Sequence, residues 1–164
     1  MDELRIDPVG PAVAGRIAAL ARRIWREHYP AIIGREQTDY MLDRYQSPAA
    51  IIAAMADGYR YCLIRVGHRA IGYLACRVSG EVCELSKLYL AAGFRGRGWG
   101  RSALAWVEAR GREAGARMVR LRVNRRNRIS LAVYAACGYR RVEDVIDDIG
   151  AGYVIDDHIY AKVL

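Results

Sequence analysis

Arg95-Gly96-Arg97-Gly98-Trp99-Gly100 is the stretch that decides how this chain is read. An apolar run from Cys83 leads into it and ends in Leu88-Tyr89-Leu90. Behind it, Ala103, Leu104, Val107, Gly111 and Ala114 recur at the three- and four-residue steps of one helix face. A strand, a glycine loop and a helix start in that order gather several backbone N–H groups around one point. The first four N–H groups of a helix have no partner inside it, and the helix dipole concentrates about half a positive charge there. Glycine lets the backbone approach phosphate oxygens with no Cβ in the way, while Arg95, Arg97 and Arg101 add charged donors. The stretch therefore reads as a cradle for pyrophosphate.

The residues beyond the loop decide which phosphate ligand it suits. From Gly98 onward they satisfy G-x-G-x-x-A, but a dinucleotide fold also needs an acidic residue after the next strand, about 20 residues on. That strand, Val119 to Val123, is succeeded by Asn124, Arg125 and Arg126, and the loop carries no lysine of the nucleotidase type. Read from Arg95, the loop is R-x-x-G-x-G. A second pattern lies downstream: Leu121-x-Val123, then Asn127-x-x-Ser130-x-x-x-Tyr134, then Gly138-Tyr139. In this order and spacing the two motifs resemble the acyl-CoA loop and the next strand and helix of the GNAT superfamily of N-acetyltransferases. The resemblance covers Tyr59 to Leu164 closely and the first 58 residues in outline. It implies one N-acetyltransferase domain over residues 1–164. The implied α/β fold is a mixed, mostly antiparallel splayed sheet flanked by helices, with acetyl-CoA entering between the fourth and fifth strands.

The segmentation agrees with that implication. Leu4 to Ile6 reads as a short strand stopped by Pro8, Gly10 and Pro11. Val13, Ile17, Leu20, Ala21 and Ile24 form one helical stripe that ends near His28-Tyr29-Pro30. Helices are predicted over Glu36–Tyr45 and Pro48–Met55, closed by Gly58. Tyr59–Val66, Ala70–Val78 and Val82–Leu90, separated by Gly67-His68 and Ser79-Gly80, read as an antiparallel meander. Val119, Leu121 and Val123 alternate with Arg120 and Arg122 as a half-buried strand does. Asn127–Cys137 suits a short helix, and Arg140–Ile149 and Tyr153–Val163 suit strands across Gly150-Ala151-Gly152. The resulting order is β-α-α-α-β-β-β-α-β-α-β-β.

Composition narrows the class. The chain has 164 residues and a formal charge of +8. A nucleic-acid partner is disfavoured, because the basic residues are nearly all arginine, the exceptions being Lys87 and Lys162, and aromatic residues are not interleaved with them. The skew reads as coding bias, while Arg125, Arg126 and Arg128 would form a local basic rim for the phosphates of coenzyme A. There is no apolar run of membrane-spanning length, so no membrane partner is expected. Cys62, Cys76, Cys83 and Cys137 lack C-x-x-C spacing, and His28, His68 and His158 are scattered. The expectation is reduced thiols, no metal and a cytoplasmic setting.

Amide formation requires a neutral amine, a stabilised oxyanion and a proton for the departing thiolate. The resemblance puts Tyr134 at the general acid that faces the coenzyme A sulfur, and Glu84 at the base used by some histone-acetylating members. Glu84 and Lys87 stand three apart, on opposite sheet faces unless a bulge intervenes. Such a bulge is expected from the family and would free a backbone N–H for the oxyanion. The backbone of Leu88 and Leu90 is expected to pair with the pantetheine arm. Arg95, Gly96, Arg97, Gly98, Trp99, Gly100 and Arg101 are expected to hold the pyrophosphate. Asn127 and Ser130 are carried over as further contacts, and Asn127 equally suits a helix N-cap.

Trp25, His28, Tyr29 and Tyr40 are expected to line the acceptor side, and Asp147, Asp148, Asp156 and Asp157 flank the last turn, where a second ammonium would find carboxylates. The implied activity is direct transfer of acetyl from acetyl-CoA to the primary amine of a small molecule, a polyamine being one such cationic acceptor. A protein N-terminus or lysine as acceptor, or a coenzyme A-binding regulatory module without turnover, are the alternatives. Family habit adds a homodimer through the last strands.

Overall fold

The computed structural model describes residues 3–164. A first strand β1 (Leu4–Val9) leads through a 3-10 turn at Pro11–Val13 into helix α1 (Ala14–His28). Helices α2 (Pro30–Ile33), α3 (Arg35–Tyr45) and α4 (Pro48–Ala56) come next, then strands β2 (Arg60–Val66), β3 (Arg69–Ser79) and β4 (Val82–Leu90). Helix α5 (Trp99–Glu113), strand β5 (Met118–Asn124), helix α6 (Arg128–Ala136) and strands β6 (Arg140–Gly150) and β7 (Tyr153–Val163) complete the chain. The seven strands form one sheet in the order β1-β2-β3-β4-β5-β7-β6, antiparallel except for β4 beside β5.

Two elements depart from the sequence expectation. Helix α2 is an additional single turn, opened by Pro30, whose missing N–H is no loss at a first helical position. Strand β1 runs on through Pro8 to Val9, with Pro8 opposite Cys62. Proline is tolerated there because β1 is an edge strand with one side unpaired.

The central strands of the sheet are covered on both faces. On one, Ile17, Leu20, Ala21, Ile24 and Trp25 of α1 pack with Leu42 of α3 and Ile51 of α4 against Tyr61, Leu63, Tyr73 and Ala75. On the other, Ala103, Leu104 and Val107 of α5 and Tyr134 of α6 pack on Ile64, Leu74, Leu85, Val119 and Leu121. Fully burying each such aliphatic side chain stabilises the fold by about 1.5–3 kcal/mol. Cys62, Cys76 and Cys83 are buried free thiols within this core, and Cys137 is half-buried. No described helix is long and apolar enough to cross a membrane.

Candidate active site

The central strand pair holds together for only four residues. Val82 to Leu85 of β4 pair with Met118 to Leu121 of β5, and beyond Leu85 the two strands part. On its other side β4 stays paired to β3 as far as Gly72 opposite Leu90. The Ala91 N–H donates to the Ile71 carbonyl at 2.8 Å, so strand alternation turns the peptide groups of Leu88 and Leu90 toward the gap. Nε of Arg95 donates to the Leu90 carbonyl across 3.1 Å.

At the mouth of this gap the glycine loop meets α5. Gly98 is the N-cap, with φ +84° and no side-chain cap, and Gly96 has φ +75°. Among the described residues, the N–H groups of Gly96 to Arg101 have no backbone partner. Arg97 and Arg101 are exposed and make no ion pair among these residues; Arg97 rests over the Phe94 ring at 5.6 Å. Free amides on a helix start and two uncommitted guanidinium groups fit an anionic diphosphate. Trp99 is half-buried against the core, with its indole N–H buried and without a partner, while its backbone N–H belongs to the loop.

The opposite wall comes from α6. Asn127 is its N-cap, Oδ1 accepting the Ser130 N–H at 3.5 Å, and the same oxygen lies 3.1 Å from Nε2 of His28. Ser130 and Tyr134 lie on the face turned into the gap. Tyr134 is 9% exposed. Burial first, then neighbouring Tyr29 and Cys137, raises its pKa above the ordinary phenol value, so the hydroxyl keeps its proton. Tyr29 stands beside it, pushed up to about 12 by burial against the opposing pull of hydrogen bonds with Tyr89 and Asn127.

Both walls open into one cavity of about 730 Å³. The expected bulge exists: Ala75 pairs with Lys87 and Cys76 with Leu85, leaving Ser86 as the extra residue of β4. It inverts the alternation. Cys83, Leu85, Leu88 and Leu90 share the α5 face, whereas Tyr89 packs on the α1 face and Glu84 and Lys87 both line the cavity. Helix α3 roofs the cavity by bonding to the β6–β7 hairpin. Nε2 of Gln37 donates to the Val154 carbonyl at 2.8 Å, the Tyr40 hydroxyl donates to the Ile149 carbonyl, and the Tyr40 and Tyr153 rings lie 5.1 Å apart.

The acceptor side is thus partly corrected. Trp25 and Tyr29 line the cavity, but Tyr40 is the pin that fastens the roof, and His28 is engaged by Asn127. The four aspartates already have partners within the protein. Arg122 holds Asp147 at 2.8 Å and Asp157 at 3.1 Å, Arg125 holds Asp156 at 2.9 Å, and Asp148 accepts the Gly150 N–H at 2.9 Å. Arg125 thus pairs with Asp156 and, at 3.8 Å, with Asp144. Sequence reading missed Gln46, Arg120 and Arg122 as lining residues; the alternation of Arg120 and Arg122 along β5 was the available signal.

A split parallel pair at the centre of a mixed sheet, with a glycine loop at one lip and a buried tyrosine at the other, defines an acyltransferase scaffold. Residues 18–139 match the family model "Acetyltransferase (GNAT) family", and the chain belongs to that family. It is an acetyltransferase whose cosubstrate is acetyl-CoA. An uncharacterized N-acetyltransferase of Mycobacterium tuberculosis (strain ATCC 25618 / H37Rv) is 31% identical over 129 residues, 77% of this chain and 83% of its own. A Mycobacterium bovis protein described in the same words matches to the same extent. In fold, the chain resembles the PaiA N-acetyltransferase of Thermoplasma acidophilum, solved in complex with coenzyme A (TM-score 0.81, 18% identity, 99% of both chains). It is similar also to an acetyltransferase of Thermus thermophilus (TM-score 0.73, 24% identity, 98% of this chain and 97% of that one).

Proposed function

We propose that this chain acetylates the primary amine of a small molecule by direct transfer, with donor and acceptor bound together. The observation that carries this reading is that Glu84 and Tyr134 line one cavity, from opposite sides of the gap where β4 leaves β5. The loop amides from Gly96 to Arg101, with Arg95, Arg97 and Arg101, hold the pyrophosphate. The peptide groups of Leu88 and Leu90 act as strand partners for the pantetheine arm once Arg95 releases the Leu90 carbonyl. Asn127 and Ser130 border the arm on the other side.

Glu84 takes the proton of the acceptor ammonium, directly or through a water, which frees the nitrogen lone pair for attack on the acyl carbon. The bulge at Ser86 leaves β4 backbone unpaired beside that carbon, where an N–H meets the developing oxygen charge. As the carbon–sulfur bond breaks, Tyr134 donates its hydroxyl proton to the sulfur, and the second proton lost by the attacking nitrogen passes through water to restore the phenol. A phenol that burial keeps protonated is suited to that role.

The roof formed by α3 on the β6–β7 hairpin favours a small acceptor over a protein segment, which needs an open groove. Free-thiol release from acetyl-CoA, measured with purified protein against amino acids, polyamines, aminoglycosides and short peptides, tests the reading. Release with peptides alone would overturn the small-molecule assignment. Tight coenzyme A binding with no release on any acceptor would favour a regulatory module.

The exposed apolar row of Val142, Ile146 and Val154 on β6 and β7 supports self-association through these strands. Sedimentation at micromolar concentration tests it.

A further inference from the structure

The acceptor cavity contains hydrogen-bond donors with no acceptors. Lys87 lines it and makes neither an ion pair nor a hydrogen bond among the described residues. Burial alone pushes its ammonium down to about 8. Gln46, only 2% exposed, accepts the Tyr73 hydroxyl proton on Oε1 at 3.0 Å and leaves Nε2 unpartnered. The amide's orientation is set by its neighbour. The Trp25 indole N–H can only donate, and it sits beside the Tyr73 oxygen without completing a hydrogen bond. Tyr73 must therefore send its own proton to Gln46, so that Oε1 faces Tyr73 and the NH2 group faces away.

A buried donor left without an acceptor is destabilising, as at Gln46, and the half-buried Lys87 ammonium faces the cavity with no counter-charge paired to it. The cavity's other cations do not share this condition. Arg120 is held by Glu143 at 3.3 Å, and Arg122 by Asp147 and Asp157. The unsatisfied groups are thus an ammonium and a neutral amide that both donate. What satisfies them is a group that only accepts and carries negative charge.

We infer that Lys87 and Gln46 form an anion subsite and that the acceptor is an amine bearing a carboxylate, as an amino acid is. This rests on the acetyl-transfer reading above and specifies its substrate class. The amine would face Glu84 and the gap while the carboxylate oxygens take the donors of Lys87 and Gln46. A diamine has no group for that end of the cavity.

The test compares matched pairs that differ only by the carboxylate: L-leucine with 3-methylbutylamine, L-phenylalanine with phenethylamine, and L-lysine with cadaverine. Thiol release should favour the amino acid of the preferred pair by at least about tenfold in kcat/KM, equivalent to about 1.4 kcal/mol. Lys87→Met should bring the pair within about twofold, through KM rather than kcat, whereas Lys87→Arg should keep part of the preference. Gln46→Glu, which can still accept from Tyr73, should depress use of the amino acid further. Equal use of both members by the native protein, or a preference that survives Lys87→Met and Gln46→Glu, overturns the subsite. Release confined to amines without a carboxylate overturns it too, while leaving acetyl transfer intact. Failure of release with every amine removes the acetyl-transfer reading and the subsite with it.

Discussion

Nε2 of His28 and Oδ1 of Asn127 lie 3.1 Å apart, joining the last residue of α1 to the N-cap of α6 across the gap in the sheet. The same oxygen caps α6 through the Ser130 N–H, so one atom serves both the helix start and the bridge. Asn127→Ala removes both at once. A lost N-cap alone costs about 1 kcal/mol, and urea unfolding should show at least that loss, with m unchanged.

His28 gives this bridge a pH dependence. Burial, and secondarily the charge of Arg95, lowers its folded-state pKa below 6.5, with the Asn127 hydrogen bond opposing. The folded protein then binds fewer protons than the unfolded chain. Stability is fully present above about pH 6.5 and is lost as pH falls through the folded-state pKa. His28→Gln, which retains a donor for Asn127, should flatten the decline in melting temperature between pH 6.5 and 5. An unchanged slope would assign the decline to other groups.

Tyr134→Phe should lower kcat by about 10²-fold or more while leaving KM for acetyl-CoA within about twofold. Because burial raises the Tyr134 pKa, no alkaline limb of the native rate profile should arise from this group in the ordinary assay range. Wild-type turnover in the variant would remove Tyr134 from the proton transfer.

Gly98→Ala tests the loop. No atom would meet a Cβ there within 4 Å, so the change acts through backbone conformation alone, at φ +84°. Forcing an L-residue into that region costs about 1–2 kcal/mol. The expected result is a lower melting temperature together with a raised KM for acetyl-CoA. A raised KM without loss of stability would mean that the loop relaxes out of its present shape.

Lys87→Met should raise the melting temperature at pH 7. The ammonium's pKa of about 8 lies below its ordinary value because burial penalises the charge, so the native protein bears that penalty below pH 8. The gain should shrink as pH rises from about 8 toward the unfolded-chain value near 10.4. Glu84, Arg120, Arg122 and Asp157 face the same cavity. Comparing the variant with native protein at each pH isolates Lys87 from them. A destabilised variant at pH 7 would show that Lys87 has a structural partner.

Local pattern carried most of the fold. The two-residue alternation of β5, the stripe of α1 and the Ser79-Gly80 and Gly67-His68 turns each determine their own segment with little help from elsewhere. The loop and the Asn127-to-Tyr134 spacing were legible for the same reason, since each motif is a strand, a turn and a helix start contiguous in sequence. What escaped depends on partners far apart in the chain. Glu108 falls on the apolar face of α5, and nothing local indicates that Lys162 of β7 meets it at 2.6 Å with the Tyr139 hydroxyl 3.4 Å away. The roles of Tyr40 and the final aspartates went the same way, being fixed by α3 lying over a hairpin about 110 residues later. Pro8 marks the remaining limit, because whether proline ends a strand depends on which edge of the sheet that strand occupies.

The unzipped centre of the sheet also divides labour along the chain. On the proposed reading the donor side is made from contiguous pieces, the end of β4 with the loop and start of α5, and the end of β5 with the start of α6. The acceptor side adds α1, α3 and the β6–β7 hairpin, which meet only in space, to Glu84 and Lys87 of β4. On the same reading, substitutions at Gln46 or on the hairpin should shift the choice of acceptor while the machinery that grips the cosubstrate is left as it stands.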